Sequence, residues 1–462
     1  MATIKISQYA TLDSERRCDA EHITAPIYVN KNYYYGAEVS AFTQYGTSKQ
    51  LNEHQKGFPV LRLNEFEQMF IKTPEKHCNL ITESVFQQLR LSAGDVLVCR
   101  TNGNPHLVGK AAVVMEDTDC AYASYVFKIR PNNQTTPQLL TVYLNSKYGR
   151  SEIERHQMIS IQTNFSPERF KKCRIPRFSQ PFQTAVSDIV NKAYVSLKSS
   201  KSLYIATEHS LLNSLGFNDF VPSDSKFSIK KLSESFRMSN RIDAEYYQQK
   251  YDDIFLRLKN LPFDKLGKIV AIKKSIEPGS DFYGEKGVPF VRVSDLTKYG
   301  ISYPDIKVPA HLTELRPTKD TILLTKDGSV GIAYKVEEDL DYITSGALLH
   351  LTVKQKRVLP DYLTLVLNSI IVQSQAERDA GGSIIQHWKP SEIGDVIIPI
   401  LDDDTQKKIT TDVQSSFSLR RQSEQLLNFA KQAVEMAIEE GEDIAMKWLG
   451  VFTKGKSGGP KA

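Results

Sequence analysis

The chain has 462 residues, 24% charged and 40% hydrophobic, and 59 Lys+Arg against 54 Asp+Glu leave a formal net charge of +5. That length exceeds one ordinary core and predicts two large domains of soluble, globular composition. The small basic excess permits a nucleic-acid partner without requiring one. The opening MATIKISQYATLD has no apolar run of a secretory leader, and no stretch is long enough for a membrane-spanning helix. Five cysteines, Cys18, Cys78, Cys99, Cys120 and Cys173, form no CxxC pair, which points to a reduced, cytoplasmic protein without a structural zinc site.

In chain order, the first predicted landmark is RRCDAEH at 16–22, which returns as NRIDAEY at 240–246. The following elements return too. FPVLRLNEF at 58–66 matches VPFVRVSDL at 288–296, and GDVLVCRTNG at 94–103 matches DTILLTKDG around 320–328. Both pairs read as short strands broken by turns. A helical stretch, LTVYLNSKYGRSEIERHQ, has its echo in YLTLVLNSIIVQSQAERDA, and NFSPERF at 164–170 resembles HWKPSEI at 387–393. A strand ending in proline follows in each copy, RIP at 174–176 and IIP at 397–399, and then Gln183 matches Gln406. The offset drifts early and settles late. Drift marks loop insertions and a settled offset marks rigid elements, so the chain is a tandem duplication of domain-sized copies.

Each copy ends in a predicted long helix, 183–215 and 406–440, free of Gly and Pro. Val186, Val190, Ala193, Leu197, Ser200, Tyr204, Thr207, Leu211 and Ser214 step by four and three. The same rhythm gives Ile409, Val413, Ser416, Arg420, Ser423, Leu427, Ala430, Val434 and Ala437. Alternating steps make a helix–helix seam. The polar middles predict that the two helices pair antiparallel across a pseudo-twofold axis instead of each lying on its own domain. Val186, Tyr204, Leu211, Ile409, Leu427 and Val434 are the expected seam residues.

Catalytic constellations are hard to find. No GxGxxG follows a strand, and no Gly-x-Ser-x-Gly elbow, HExxH site or methyltransferase base-pocket signature occurs. GVFTKGKS at 450–457 fits the phosphate-loop pattern, but it follows a helix and is read as a chance match in a flexible tail. The 402–404 Asp run precedes a helix and reads as its acidic cap, not as a metal cluster.

The copies instead share polar loops. CRTNGNPHLVGK at 99–110 carries Arg100, Asn102, Asn104 and Lys110, and LTKDGSVG at 324–331 carries Lys326, Asp327 and Ser329. A later loop brings Gln162 and Asn164 in one copy, and Gln386, His387 and Lys389 in the other; Arg62 and Arg292 match in the first strand pair. Arg, Lys, Asn and Gln carry the donor and acceptor groups that match base edges and phosphates. Turn chemistry explains any one of these residues; the recurrence of the set points to DNA contact.

RIDAEYYQQKYDDI, VPFVRVSDL, ILLTKDGSVGIAYKV, LPDYLTLVLNS, GGSIIQHWKPSEIGDVIIPI and TQKKI together resemble the specificity subunit of type I restriction-modification systems, over about residues 10–445. Copy one departs from the pattern, lacking the KDGS form and the Gly-Gly-Ser triplet. The resemblance implies an α+β fold. Two target recognition domains, 1–182 and 216–405, are joined by spacer helices 183–215 and 406–445, coiled-coil-like and antiparallel, with a tail at 446–462. It implies a non-catalytic prokaryotic subunit without cofactor or metal. Each domain reads one half of a split, asymmetric double-stranded DNA site, and the helices dock two methyltransferase subunits and, in some systems, a restriction subunit; no membrane is involved. The readings left open are a stand-alone DNA-modifying enzyme with unusual motifs and a helical protein-interaction scaffold.

Overall fold

The computed structural model describes residues 32–158, 162–225, 227–233, 235–302, 304–381 and 385–454. The 16–22 motif with Cys18, most of the Gly-Gly-Ser triplet and the end of the tail lie outside them. The chain forms two compact units. Unit 1 takes the residues up to Lys198 and those from Arg420 onward, and unit 2 is Ser199–Leu419.

Unit 1 is built on a six-stranded sheet in the order Ser40–Tyr45, Val126–Pro131, Val96–Cys99, Ala111–Val113, Phe70–Ile71, Phe66–Glu67. All four residues of Val96–Cys99 are buried, as expected of an apolar run covered on both faces. Phe127 faces Val98, and Val98 faces Ala111, in antiparallel register. A small sheet of Ala121–Tyr122, Phe58–Leu61 and His77–Cys78 stands beside it, with Ala121 parallel to Val60. Unit 2 repeats the plan. Its main sheet runs Val270–Lys274, Leu348–Val353, Ile322–Thr325, Ala333–Lys335. Its small sheet is Lys307–Val308, Val288–Val291, Ile343–Thr344, again with one parallel pair, Phe290 beside Ile343.

The recurring LNS string has a structural cause. Asn145 Nδ2 donates to Ala111 O at 2.9 Å and its Oδ1 accepts from Ala111 N at 3.2 Å, pinning the neighbouring strand. Asn368 does the same to Ala333, at 2.8 and 3.1 Å. Ser146 and Ser369 donate back to Tyr143 O and Val366 O, at 2.6 and 2.7 Å. These serines end one helix and open the next, so each predicted helical stretch is two helices, Pro137–Asn145 with Lys147–His156 and Pro360–Asn368 with Ile370–Asp379. The recurring glutamines are locks too. Gln183 Oε1 accepts from Thr136 N at 3.0 Å, and Gln406 Oε1 from Leu359 N at 3.0 Å, at the starts of equivalent helices.

The first long helix is Gln180–Ser214. It begins before the expected 183 because Pro181 is tolerated in a first turn. The second is Asp403–Glu439. Asp402 caps it, accepting from Thr405 N at 2.9 Å and Thr405 Oγ1 at 2.7 Å. These bonds hold the Asp402 carboxyl below its ordinary value. Each unit takes part of both helices. In unit 1 Val186, Val190, Ala193 and Leu197 pack with Leu427, Ala430, Val434 and Ala437; in unit 2 Tyr204 and Leu211 pack with Ile409 and Val413. The early part of one helix meets the late part of the other, so the two run in opposite directions.

The same residues are also continuous with the sheet-and-helix cores. Val186 and Val434 share a cluster with Leu140 and Phe170, and Leu211 and Ile409 share one with Leu266 and Leu363. This corrects the expectation that the seam would be independent of the domains. The polar middle is thin because it meets polar partners. Ser416 Oγ donates to Ser200 O at 2.8 Å, and Ser423 Oγ donates to Gln68 Oε1 at 2.8 Å. Arg420 Nη2 pairs with Glu67 Oε1 at 2.5 Å.

The C-terminal expectation is corrected as well. Residues 446–454 are not a loose tail. Gly441, at φ +98°, breaks the chain direction, and Glu442–Lys454 forms another helix. Its Ala445 and Leu449 are buried in the unit 1 core, and Trp448 stacks on Phe429 with ring centroids 3.9 Å apart. Gly450–Lys454, the front of the phosphate-loop match, is therefore helical. The four described cysteines, Cys78, Cys99, Cys120 and Cys173, are free thiols and buried.

Candidate nucleic-acid interface

In each unit two loops far apart in sequence are stitched together just past the end of an interior strand of the main sheet, Val96–Cys99 in one and Ile322–Thr325 in the other. In unit 1, Thr101–Asn102 pairs antiparallel with Thr163–Asn164, Thr101 facing Asn164. In unit 2, Asp327 forms the equivalent bridge to His387. The backbone bonds around these bridges correspond. Arg100 N donates to Tyr125 O at 2.7 Å and Lys326 N to Ala347 O at 2.9 Å; Phe165 N donates to Arg100 O at 2.7 Å and Trp388 N to Lys326 O at 2.8 Å. Phe165 and Trp388 are fully buried and anchor the second loop of each pair. The first loop turns back on a glycine with positive φ, Gly109 at +81° and Gly331 at +87°, a conformation that costs glycine little.

Unit 1 thus brings Arg100, Asn102, Gln162 and Asn164 together, with Gln162 exposed and the others half-buried. Asn102 Oδ1 accepts from Asn104 N at 2.8 Å, and the Arg100 guanidinium carbon sits 5.3 Å from the centroid of the Tyr45 ring. Tyr45 and the exposed Tyr125 are neighbours that sequence reasoning missed; their positions depend on strand pairing, which leaves no local signal. Lys110 is exposed where the loop rejoins the sheet, its carbonyl accepting from Cys99 N.

Unit 2 brings Lys326, Asp327, Ser329, Gln386 and His387 together. Gln386 O accepts from Gly328 N at 2.9 Å, and the exposed Ser329 offers its carbonyl to Thr325 Oγ1 at 2.5 Å. Asp327 lies between Lys326 and His387. Its Oδ1 is 2.8 Å from His387 Nδ1 and its Oδ2 pairs with Lys326 Nζ. Partial burial raises the Asp327 carboxyl, but the Lys326 and His387 contacts outweigh it and hold the group below its ordinary value. Lys389 is exposed and opens the helix Pro390–Asp395, its Nζ 3.4 Å from Glu392 Oε1.

Arg62 and Arg292 do not join these loop pairs. Each closes the turn after the first strand of its small sheet. Arg62 Nη2 is 2.8 Å from Glu65 Oε1, and Arg292 Nε is 3.3 Å from Asp295 Oδ2. The same carboxylates accept the arginines' own backbone amides, at 2.6 and 2.9 Å. Turn closure is thus one source of their recurrence.

No family model matches the chain. A curated relative, the type I restriction enzyme StySPI specificity subunit of Salmonella potsdam, is 22% identical over 162 residues, covering 34% of each chain. The chain is similar to type I restriction specificity subunits. The match spans about a third of that relative's length. Among solved structures, the type I restriction-modification S subunit from M. genitalium has 12% identity, a TM-score of 0.36 and coverage of 92% of this chain and 98% of its own. The HsdS subunit from Thermoanaerobacter tengcongensis has 13% identity, a TM-score of 0.29 and coverage of 89% and 97%. Among the described residues, no helix is long and apolar enough to cross a membrane.

Proposed function

We propose that the chain is the DNA-reading specificity subunit of a type I restriction-modification complex, and that it is itself non-catalytic. The observation that carries this is the loop pair built twice on one backbone plan with different polar side chains, Asn102 and Asn164 in one unit and Asp327 and His387 in the other. A duplicated scaffold with divergent polar side chains suits two different half-sites. Arg100, Asn102, Lys110, Gln162 and Asn164 serve one half-site, and Lys326, Ser329, Gln386, His387 and Lys389 the other. The recognition domains correspond to 1–182 and 216–405, and the long helices set the spacing and dock the methyltransferase subunits, two in the full assembly. The setting is the prokaryotic cytoplasm.

The test is selection of duplexes from a random library by the full chain, alone and co-expressed with a type I methyltransferase subunit, at two salt concentrations. A split, asymmetric site and a steep fall in affinity with salt are expected. Absence of any sequence preference in both preparations would overturn the reading.

A further inference from the structure

Resting on that reading, we infer that His387 is a specificity-determining residue whose Nε2 accepts a hydrogen bond from a base carrying an exocyclic amino group in the major groove, adenine or cytosine, and that Asp327 is the residue that positions it. The argument begins with the 2.8 Å contact between His387 Nδ1 and Asp327 Oδ1. The carboxylate oxygen only accepts, so Nδ1 carries the proton. In a neutral imidazole one ring nitrogen donates and the other accepts, which leaves Nε2 as the acceptor. The imidazole is 62% exposed, while Asp327 is 22% exposed and held from its other oxygen by Lys326. The acidic group is thus turned inward and shielded, and the ring it orients is the part offered to a partner.

The residue is fixed as well as oriented. His387 exchanges backbone bonds with Gly381, 2.7 Å from its amide and 3.1 Å to its carbonyl, and the next residue, Trp388, is buried. In the major groove, adenine N6 and cytosine N4 are donors, whereas guanine and thymine present acceptors at the corresponding edge. A fixed acceptor therefore separates A and C from G and T. Unit 1 has Asn164 at the equivalent position, a side chain that both donates and accepts, so the same discrimination is not built there. Asp327, which contacts the ring, is itself paired with Lys326.

The experiment uses the full chain at low salt and near-neutral pH. Library selection first identifies the site. One position in the half-site read by unit 2 is then expected to demand A or C. Replacing that base by its analogue without the amino group, purine for adenine or 2-pyrimidinone for cytosine, should weaken wild-type binding roughly tenfold or more. The same replacement should cost His387→Ala nothing. Asp327→Asn, whose carboxamide no longer forces the proton onto Nδ1, should admit G or T at that position and leave the other half-site unchanged. A staple that merely joins two loops would not produce this coupling between residue and amino group. Equal analogue costs in wild type and His387→Ala, or no position demanding an amino base, would overturn the inference while the DNA-reading role stands. Failure to select any sequence would overturn both.

Discussion

Asn368 holds both backbone groups of Ala333, donating to its carbonyl at 2.8 Å and accepting from its amide at 3.1 Å. The bond pair fixes the strand Ala333–Lys335 at the edge of the unit 2 sheet. Asn368→Ala strands a half-buried donor and acceptor, and should destabilise unit 2 by about 1–3 kcal/mol. Amide exchange at 333–335 should accelerate, while exchange in unit 1 stays as it was. Asn145→Ala should act reciprocally on Ala111–Val113. Unchanged protection in both variants would mean that the pins contribute nothing.

Arg292 is expected to matter for the turn and not for base choice. Arg292→Ala should lower stability slightly and leave the selected DNA sequence unaltered, and Arg62→Ala should do the same in unit 1. A changed base preference in either variant would put these arginines against DNA.

His350 supplies a pH dependence. It is buried, 2.7 Å from Thr344 Oγ1 through Nε2, and burial, helped by Lys273 across the strand pair, pushes its pKa down to about 4. An unfolded histidine titrates near ~6.5. The folded value is the lower one, so this contribution to stability is fully present above ~6.5. It is lost as pH falls toward about 4, amounting to up to about 3 kcal/mol. Urea unfolding between pH 7 and 4 should show the decline in wild type and a flatter profile in His350→Gln. Parallel profiles would assign the acid sensitivity to other groups.

Leu211→Glu and Val434→Glu should each unfold the unit that houses the substituted residue. Both positions are fully buried, Leu211 in the unit 2 core and Val434 in the unit 1 core, and an unpaired buried carboxylate costs several kcal/mol. Circular dichroism and limited proteolysis should report loss of one unit. Two intact units with only partner docking lost would restore the picture of a seam independent of the cores.

The spacing role of the helices is testable by a paired insertion. Four helical residues placed between Lys198 and Ser199, with four more between Leu419 and Arg420, leave each unit's own helix segments in register. At ~1.5 Å per residue each helix gains about 6 Å. With about 3.4 Å per base-pair step, the selected spacer should lengthen by one or two base pairs and the half-sites should stay the same. A fixed spacer with binding retained would remove the helices from that role.

Much of this architecture was legible because its signals are local or repeated. The four-three rhythm exposes a helix face in any order of folding, and residues such as Asn145/Asn368 and Gln183/Gln406 recur because each copy needs the same lock. Other features were misread or missed for definite reasons. Arg62 and Arg292 recur as convincingly as any loop residue, and their partners, Glu65 and Asp295, lie three residues away, so turn closure is a second source of the recurrence. The Asp327–His387 bridge spans 60 positions of sequence and has no periodicity to reveal it. The helix Glu442–Lys454 was masked by Gly441 and by the basic, glycine-rich segment after it, although Ala445, Trp448 and Leu449 already formed an apolar stripe.

The division of the long helices between units sets an order of events during synthesis. Every residue of unit 2 lies between Ser199 and Leu419, so its core can close as soon as that stretch has left the ribosome. Unit 1 begins earlier in the chain but finishes last, because Leu427, Ala430, Val434 and Leu449 are part of its core. Until those residues emerge, the apolar face of Val186, Val190 and Leu197 lacks the second long helix that completes its cover. The half translated first therefore waits for the half translated last, with exposed apolar surface throughout the delay. A ribosome stalled after Leu419 has left it, but before Leu427 and Val434 have, would carry a finished second unit and an open first one, the reverse of the order in which their codons are read.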